Sequence, residues 1–260
     1  MGAIRKQGGF KVASAKLLTA VDQGVALLTM NRPEARNALD TELVAALKEA
    51  LVGAASSPEV RTVVLTGAGV AFCAGADLKQ RQGMTDDQLR AHTDSILECA
   101  NLLESLPVPV IAAVNGPAYA GGMELALGCD LRIAAQSASF ALPEITLGIF
   151  PGAGGPLRLP KLVGRGWAKM MVLTGDRIGA EEAFRIGLVE RLATSESLIQ
   201  EALALGRRLG RGNPAAVRAA KTLINSIDDM SFGAAIELSA ALRHPLNAAA
   251  RWSEGLSRQT

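Results

Sequence analysis

N-G-P-A-Y-A-G-G-M-E-L-A-L-G-C-D-L-R-I-A-A, residues 115–135, follows an apolar run at 109–114 and precedes F-A-L-P-E-I-T-L-G-I-F-P-G-A-G-G-P at 140–156. The run before Asn115 reads as a buried strand. Gly121-Gly122 opens an apolar helix, and 131–135 reads as the next short strand. Strands alternating with helices in this way predict an α/β fold with a mainly parallel sheet. A strand that passes through a glycine turn into a helix leaves backbone N–H groups pointing forward, with the positive end of the helix dipole behind them. Such a turn suits an anion or a developing oxyanion, and glycine lets a ligand approach the backbone closely. Glu124 lies just inside the helix, and Glu144 follows Pro143 ahead of the glycine-rich turn 151–155. Two carboxylates beside an oxyanion site would form an acid/base pair. The residues alone leave a plainer reading open. A glutamate in a first helical turn complements the dipole anyway, and Glu144 also suits a solvated loop.

The same pattern recurs upstream. Residues 60–66 form a run rich in β-branched residues, closed by Gly67-Ala68-Gly69 and followed by F-C-A-G-A-D-L-K at 72–79. Small residues at 73–76 again leave the backbone bare, a second place where a ligand could meet N–H groups; a simple tight turn is the alternative. Before it, 16–21 and 25–30 flank Asp22-Gln23-Gly24, a hairpin signal. The polar loop N-R-P-E-A-R-N-A-L at 31–39 leads to Asp40, a good N-cap for a helix with Leu43, Val44, Leu47 and Leu51 on one face. Residues 84–105 read as a helix starting at Thr85-Asp86-Asp87. After Gly155 the pattern turns helical, with segments at 167–173, 180–186, 195–209, 214–224 and 232–242, the last ending before Pro245. Pro214 suits a first helical position. These readings divide the chain into a basic arm at 1–16, an α/β core at 17–195 and a helical part at 196–260.

Composition narrows the function classes. The chain has 260 residues, 49% of them apolar, and a net charge of +2. That is an ordinary α/β composition, without the bulk charge of a nucleic-acid binder. Cys73, Cys99 and Cys129 are odd in number and widely spaced, so they give no disulfide framework and point to a reducing compartment. His92 and His244 are too few for a His-rich metal site. No apolar run approaches the roughly 20 residues of a membrane span. The arm, with Arg5, Lys6, Lys11 and Lys16, lacks a hydrophobic signal region. The expected compartment is the cytoplasm, or the mitochondrial matrix if the arm is a transit peptide. Neither Gly67-Ala-Gly69 nor Gly152-Ala-Gly154 completes a dinucleotide fingerprint, and there is no phosphate loop or G-x-S-x-G elbow. A backbone oxyanion site with carboxylates remains.

Taken as a set, the motifs at 31–39, 72–79, 109–116, 120–130 and 140–155, with L-T-G-D-R-I-G-A-E-E-A-F-R-I-G-L-V at 173–189, resemble the enoyl-CoA hydratase/isomerase (crotonase) family, in that family's order. The resemblance implies a spiral core of repeated ββα units with a helical C-terminal part that trimerises. It implies an oxyanion hole from the Ala76 and Gly121 N–H groups. Glu124 and Glu144 fall where hydratases hold a water between two carboxylates. CoA is implied against Ala35 and Ala74 and near Asp77, Leu78 and Lys79, with Gly152 in the supporting turn. Nothing beyond the acyl-CoA substrate is implied: no metal and no separate cofactor. The implied assembly is a homotrimer or a dimer of trimers. Ala120 stands where the family commonly has the first of three glycines. The family's A-F-x-E-K-R-type tail, which helps cover CoA, is not matched after Glu254-Gly255-Leu256.

The paired glutamates favour a 2-enoyl-CoA hydratase. A Δ3,Δ2-enoyl-CoA isomerase or another acyl-CoA lyase, and a noncatalytic acyl-CoA-binding or RNA-binding scaffold, are the alternatives. F-C-A-G-A-D-L-K-Q-R and E-L-A-L-G-C-D-L-R-I-A-A look most like the 3-methylglutaconyl-CoA hydratase branch. Some members of that branch bind RNA through a lysine-rich helix. The helix at 41–56 carries only Lys48, so nucleic acid is not an expected partner, nor is a membrane. Asp130 and Arg132 are expected to be a stabilising polar pair, Cys73 and Cys129 buried fillers, and His92 an exposed helix residue. The segment 79–94 is expected to fold over the acyl pocket.

Overall fold

The computed structural model describes residues 14–249. The chain forms two compact units that divide after Gly210. The first unit begins with the hairpin β1 (Leu17–Asp22) and β2 (Val25–Met30), turned at Gln23 and Gly24, whose φ angles are 48° and 80°. Two consecutive positive φ angles match the twist of the flanking strands. Helix α1 (Thr41–Ser56) follows, with the Asp40 carboxylate accepting the Leu43 N–H. Next come β3 (Thr62–Gly67), the one-turn α2 (Leu78–Arg81) and α3 (Asp86–Ser105). Thr85 and Gln88 form a reciprocal capping box at the start of α3.

Strand β4 (Val110–Val114), β5 (Pro117–Tyr119) and α4 (Gly121–Gly128) form one strand–strand–helix unit. Strand β6 (Leu131–Ala135), β7 (Ser139–Ala141), a 3-10 turn at Pro143–Leu147 and α5 (Gly155–Thr174) form the next. The unit closes with β8 (Ile178–Gly179), α6 (Ala180–Arg185), β9 (Arg191–Ala193) and α7 (Leu198–Gly210). The larger sheet runs β1-β2-β3-β4-β6-β9, parallel from β2 onward, and the smaller runs β5-β7-β8.

Both faces of the larger sheet are buried, as its continuous apolar strands predict. Val63, Leu65, Val110, Ala112 and Val114 point into the main core with α1, α3 and α4. The alternate residues Val64, Ile111 and Ala113 pack against Leu198, Ala202 and Leu203 of α7. Single parallel bridges, Leu39 to Ala76 and Cys73 to Ala118, join the loops after successive large-sheet strands. Each loop is therefore laid against the next, coil on coil. Gly122 sits where they touch, and a Cβ there would stand 2.2 Å from the Cys73 carbonyl oxygen.

Four expectations are corrected. Helix α5 begins at Gly155, well before residue 167, because Pro156 occupies a first-turn position where its missing N–H costs nothing. Gly164, at φ 75° and ψ 163°, breaks the helix into two halves. The last helix runs through Pro245. His92 is buried, only 3% exposed, beneath Arg81. Arg132 pairs with Glu190 at 2.5 Å instead of with the Asp130 carboxylate, which accepts the Val110 N–H at 2.7 Å. Arg132 keeps its stabilising role, donating also to the Leu188 and Cys129 carbonyls at 2.7 and 2.8 Å.

The second unit holds α8 (Pro214–Ser226) and α9 (Phe232–Ala249). Asn213 caps α8 by accepting the Ala215 and Ala216 N–H groups. Lys16 is held by Asp40 and Glu42 at 2.6 Å each. The basic arm through residue 13 and the segment around Glu254-Gly255-Leu256 lie outside the described residues. No described helix is long and apolar enough to cross a membrane.

Candidate active site

Two small-residue turns meet at the mouth of a cavity of about 1220 Å3 in the first unit. One carries Gly75 and Ala76, and the other carries Ala120 and Gly121. Gly75 has φ 94°, and a Cβ on it would stand 2.8 Å from the Ala120 Cβ. A Cβ on Gly121 would lie 3.8 Å from the Ala76 nitrogen, so the two turns bring these N–H groups side by side. Among the described residues, neither the Ala76 nor the Gly121 N–H has a backbone acceptor. Gly121 is the first residue of α4, and its N-cap Ala120 offers no side-chain cap. N–H groups without such an acceptor can donate to a ligand oxygen.

Glu124 lies one turn deeper in α4 and is 2% exposed. Its Oε1 accepts the Ala153 and Gly155 N–H groups, each at 2.8 Å. The turn that supplies them is braced by Arg158, which donates to the Ala153 carbonyl at 3.4 Å and pairs with Glu104 at 2.6 Å. Burial pushes the Glu124 carboxyl above its ordinary range, while the Gly155 and Ala153 N–H groups and the Arg158 and Arg81 charges pull it back.

Glu144, in the 3-10 turn, is 7% exposed, and its Oε2 has no hydrogen-bond partner among the described residues. Burial pushes its carboxyl up to about 7, the Glu124 charge pushes the same way, and its own backbone N–H and Arg81 oppose. Burial pushes both carboxyls up, and what differs is their hydrogen-bond partners. One is held by two backbone donors that favour its ionised form. The other is set to carry a proton near neutrality.

All the residues expected at the site line this one cavity: Glu124, Glu144, Ala76, Gly121, Ala35, Ala74, Asp77, Leu78, Lys79 and Gly152. The Asp77 side chain is committed to the fold. It accepts the Lys79 and Gln80 N–H groups and meets Arg32 at 2.9 Å. Burial opposes its charge, yet Arg32 and those N–H groups hold its carboxyl below the usual range. Arg32 and Asn37 explain the 31–39 motif physically. Arg32 ties its loop to Asp77, and Asn37 donates to the Ala68 and Ala71 carbonyls at 2.9 and 2.8 Å. The rim loop is thereby fixed to the turn that carries Ala76.

Sequence reasoning missed three contributors: the Ala153 and Gly155 N–H groups, Arg158, and Arg81. The glycine run at 152–155 was the only available signal for the first, and nothing marked the two arginines apart from surface ones. Cys73, expected as a buried filler, is buried, and burial pushes its thiol up to about 12, far from a thiolate nucleophile.

Comparison with known proteins agrees with this geometry. A family model described as enoyl-CoA hydratase/isomerase matches residues 20–259. YngF of Bacillus subtilis, provisionally named an enoyl-CoA hydratase/isomerase, is 47% identical over 86% of this chain and 87% of its own. The crotonyl-CoA hydratase of Syntrophomonas wolfei is 40% identical over 82% of this chain and 83% of its own. The crystal structure of the enoyl-CoA hydratase from Bacillus anthracis superposes with a TM-score of 0.90 at 39% identity, covering 93% of this chain and 95% of that one. The fold is the α/β crotonase fold that the motifs imply. With coiled strand–strand–helix units, two facing N–H turns and a pair of buried glutamates in one cavity, this chain belongs to the enoyl-CoA hydratase/isomerase family.

Proposed function

We propose that this protein hydrates 2-enoyl-CoA thioesters to 3-hydroxyacyl-CoA. The Ala76 and Gly121 N–H groups would receive the thioester carbonyl oxygen, drawing electron density from the β-carbon. Ionised Glu124 would take a proton from a water held between the two carboxylates as its oxygen bonds to that carbon. The double-bond electrons move to the α-carbon and thioester oxygen, and protonated Glu144 delivers its proton to the α-carbon. Proton transfer from Glu124 back to Glu144 restores the starting state. Each acid/base role is expected to be worth roughly 100- to 10,000-fold.

The observation that carries this reading is the contrast between the two glutamates: Glu124 bound by two N–H groups, Glu144 unpartnered at Oε2 with its carboxyl near 7. An isomerase needs one proton-shuttling carboxylate, whereas hydration uses two in complementary states. Crotonyl-CoA hydration, followed by the loss of conjugated-thioester absorbance, tests the reading in wild type, Glu124→Ala and Glu144→Ala. Robust wild-type turnover with a fall of about 100-fold or more in each variant is expected. Turnover of a 3-enoyl-CoA to its 2-enoyl isomer without hydration would replace it with the isomerase reading. Binding of acyl-CoA with no turnover of either would replace it with a scaffold. The trimer or dimer of trimers implied by the family is part of the same proposal, supported by exposed Leu147, Phe150, Leu157 and Leu173, and light scattering would test it.

A further inference from the structure

Arg32 pairs with Asp77 at 2.9 Å and Arg158 with Glu104 at 2.6 Å, so each of these cations has a carboxylate of its own. Arg36 and Lys79, which also line the cavity, are exposed. Arg81 is placed differently. It ends α2, is half-buried, and lines the cavity together with Glu124 and Glu144. Burial disfavours its charge, and Glu124 and Glu144 favour it. Those two carboxylates are its counter-charge, yet among the described residues neither is hydrogen-bonded to it.

The side chain is fixed by α3 instead. Its Nε donates to Nδ1 of His92 at 3.2 Å and its Nη2 to Oγ1 of Thr93 at 2.9 Å. An accepting Nδ1 requires a neutral imidazole with its proton on Nε2. Burial and then the Arg81 charge disfavour a second proton on His92, outweighing the Leu39 carbonyl and the Asp40 and Asp77 carboxylates. The Thr93 hydroxyl is oriented in turn by donating to the Leu89 carbonyl at 3.0 Å. Its methyl group lies 2.8 Å from where a Gly152 Cβ would stand, against the turn whose Ala153 and Gly155 N–H groups hold Glu124. One stretch of α3 therefore locates both the cation and the seat of Glu124.

On the hydratase reading, on which the kinetic part of this inference rests, Glu124 starts ionised and Glu144 protonated. As one gains a proton the other loses one, so the pair carries one negative charge throughout and only its location changes. A cation bonded to either glutamate would favour one of those states over the other. A cation held in place by neutral partners faces both. We propose that Arg81 is a positioning residue: clamped by His92 and Thr93, it is the fixed cation that balances the single negative charge of the Glu124/Glu144 pair.

The direct test reads the glutamates themselves. In protein isotope-labelled at the glutamate side-chain carboxyl carbons, Glu144→Gln identifies the Glu144 signal in an NMR pH titration. Arg81→Met is expected to move its midpoint to higher pH by about half a unit or more, because a nearby cation favours the ionised form. Arg81→Lys, which keeps the charge without the fork, should fall between. His92→Leu keeps Arg81 but removes the Nε acceptor, and should move the midpoint the same way. His92→Asn, whose amide oxygen accepts near the Nδ1 position, should restore it. An unchanged midpoint in Arg81→Met overturns the proposal, and one unchanged in His92→Leu overturns the clamp. Should Arg81→Met not fold, Arg81→Lys and the two His92 variants carry the same test.

Crotonyl-CoA turnover supplies a second readout. Arg81→Met should move both limbs of the kcat/KM pH profile to higher pH, the acid limb through Glu124 and the alkaline limb through Glu144. A merely structural role would lower the rate at every pH and leave the limbs in place, which overturns the proposal. If wild type does not hydrate crotonyl-CoA, the hydratase reading fails, and the titration still decides the role of Arg81.

Discussion

The Gly155 N–H meets Oε1 of Glu124 at 2.8 Å across 31 positions of sequence. That bond sets where the carboxylate stands, and Gly155 has no room for a side chain. A Cβ there would lie 2.9 Å from Leu142 Cδ1 and 3.2 Å from both Cγ and Oε1 of Glu124. Gly155→Ala is therefore expected to displace the carboxylate. Crotonyl-CoA turnover should fall by about 10- to 100-fold, since small misplacements of a reacting group are expensive. The melting temperature should fall by only a few degrees, for a destabilisation of about 1 kcal/mol. Unchanged turnover would show that Glu124 is not the base.

Gly121 offers a probe of the paired N–H groups that leaves both glutamates intact. Its missing Cβ faces Leu39 Cδ1 at 3.3 Å and Ile96 Cγ2 at 3.4 Å, tight but tolerable, and points within 3.8 Å of the Ala76 nitrogen. Gly121→Ala places a methyl group beside the Ala76 N–H, where it would crowd an oxygen bound by both donors. A loss of about 100-fold or more in kcat is expected, comparable to losing one oxyanion donor. Steady-state kinetics alongside thermal melting checks this: a matched loss of fold would attribute the effect to packing instead.

The raised Glu144 carboxyl gives two pH dependences. For activity, the proposed proton donor is the protonated form, so kcat/KM should decline as pH rises through about 7. Glu144→Gln should abolish that alkaline limb along with most turnover. For stability, the folded state holds this proton more tightly than the unfolded chain, whose glutamates titrate at roughly 4.3. The folded state thus binds more protons between those values, and stability falls as pH rises from roughly 4.3 toward 7. Urea midpoints at pH 5 and pH 8 should differ less in Glu144→Gln than in wild type.

Ala120 occupies φ 49° and ψ −127°, a conformation that favours glycine. Its strain is on the order of 1–3 kcal/mol, partly offset by the lower entropy of an unfolded alanine. Ala120→Gly should raise stability by about 1 kcal/mol, read as a higher melting temperature. A fall would mean that the Ala120 methyl, 2.8 Å from the position of a Gly75 Cβ, is needed to hold the two turns together.

Much of this was readable from residues taken in order. Continuous apolar runs gave the buried strands, Asp40 and Thr85 marked helix starts because capping is a local effect, and Pro214 marked another through its fixed φ. Glu124 and Glu144 stood out because each sits beside a glycine-rich or proline-containing turn. What stayed hidden depends on contacts between distant segments. The link from Arg81 to His92 spans 11 positions and joins two helices, so His92 looks like a surface residue in its own helical pattern. The brace from Arg158 to Glu104 spans 54 positions. Pro156 and Pro160 masked the first half of α5, since a proline reads as a breaker unless its place in the first turn is known.

Gly122 gives the fold a gauge. With only a hydrogen where a Cβ would stand 2.2 Å from the Cys73 carbonyl, it sets the pitch between one coil of the chain and the next. Ala76 and Gly121 ride on those neighbouring coils, so the bite of their two N–H groups is machined by the thickness of the interior. On the hydratase reading, substrate range could then shift through the rim and the acyl pocket while the spacing of those two N–H groups stays constant.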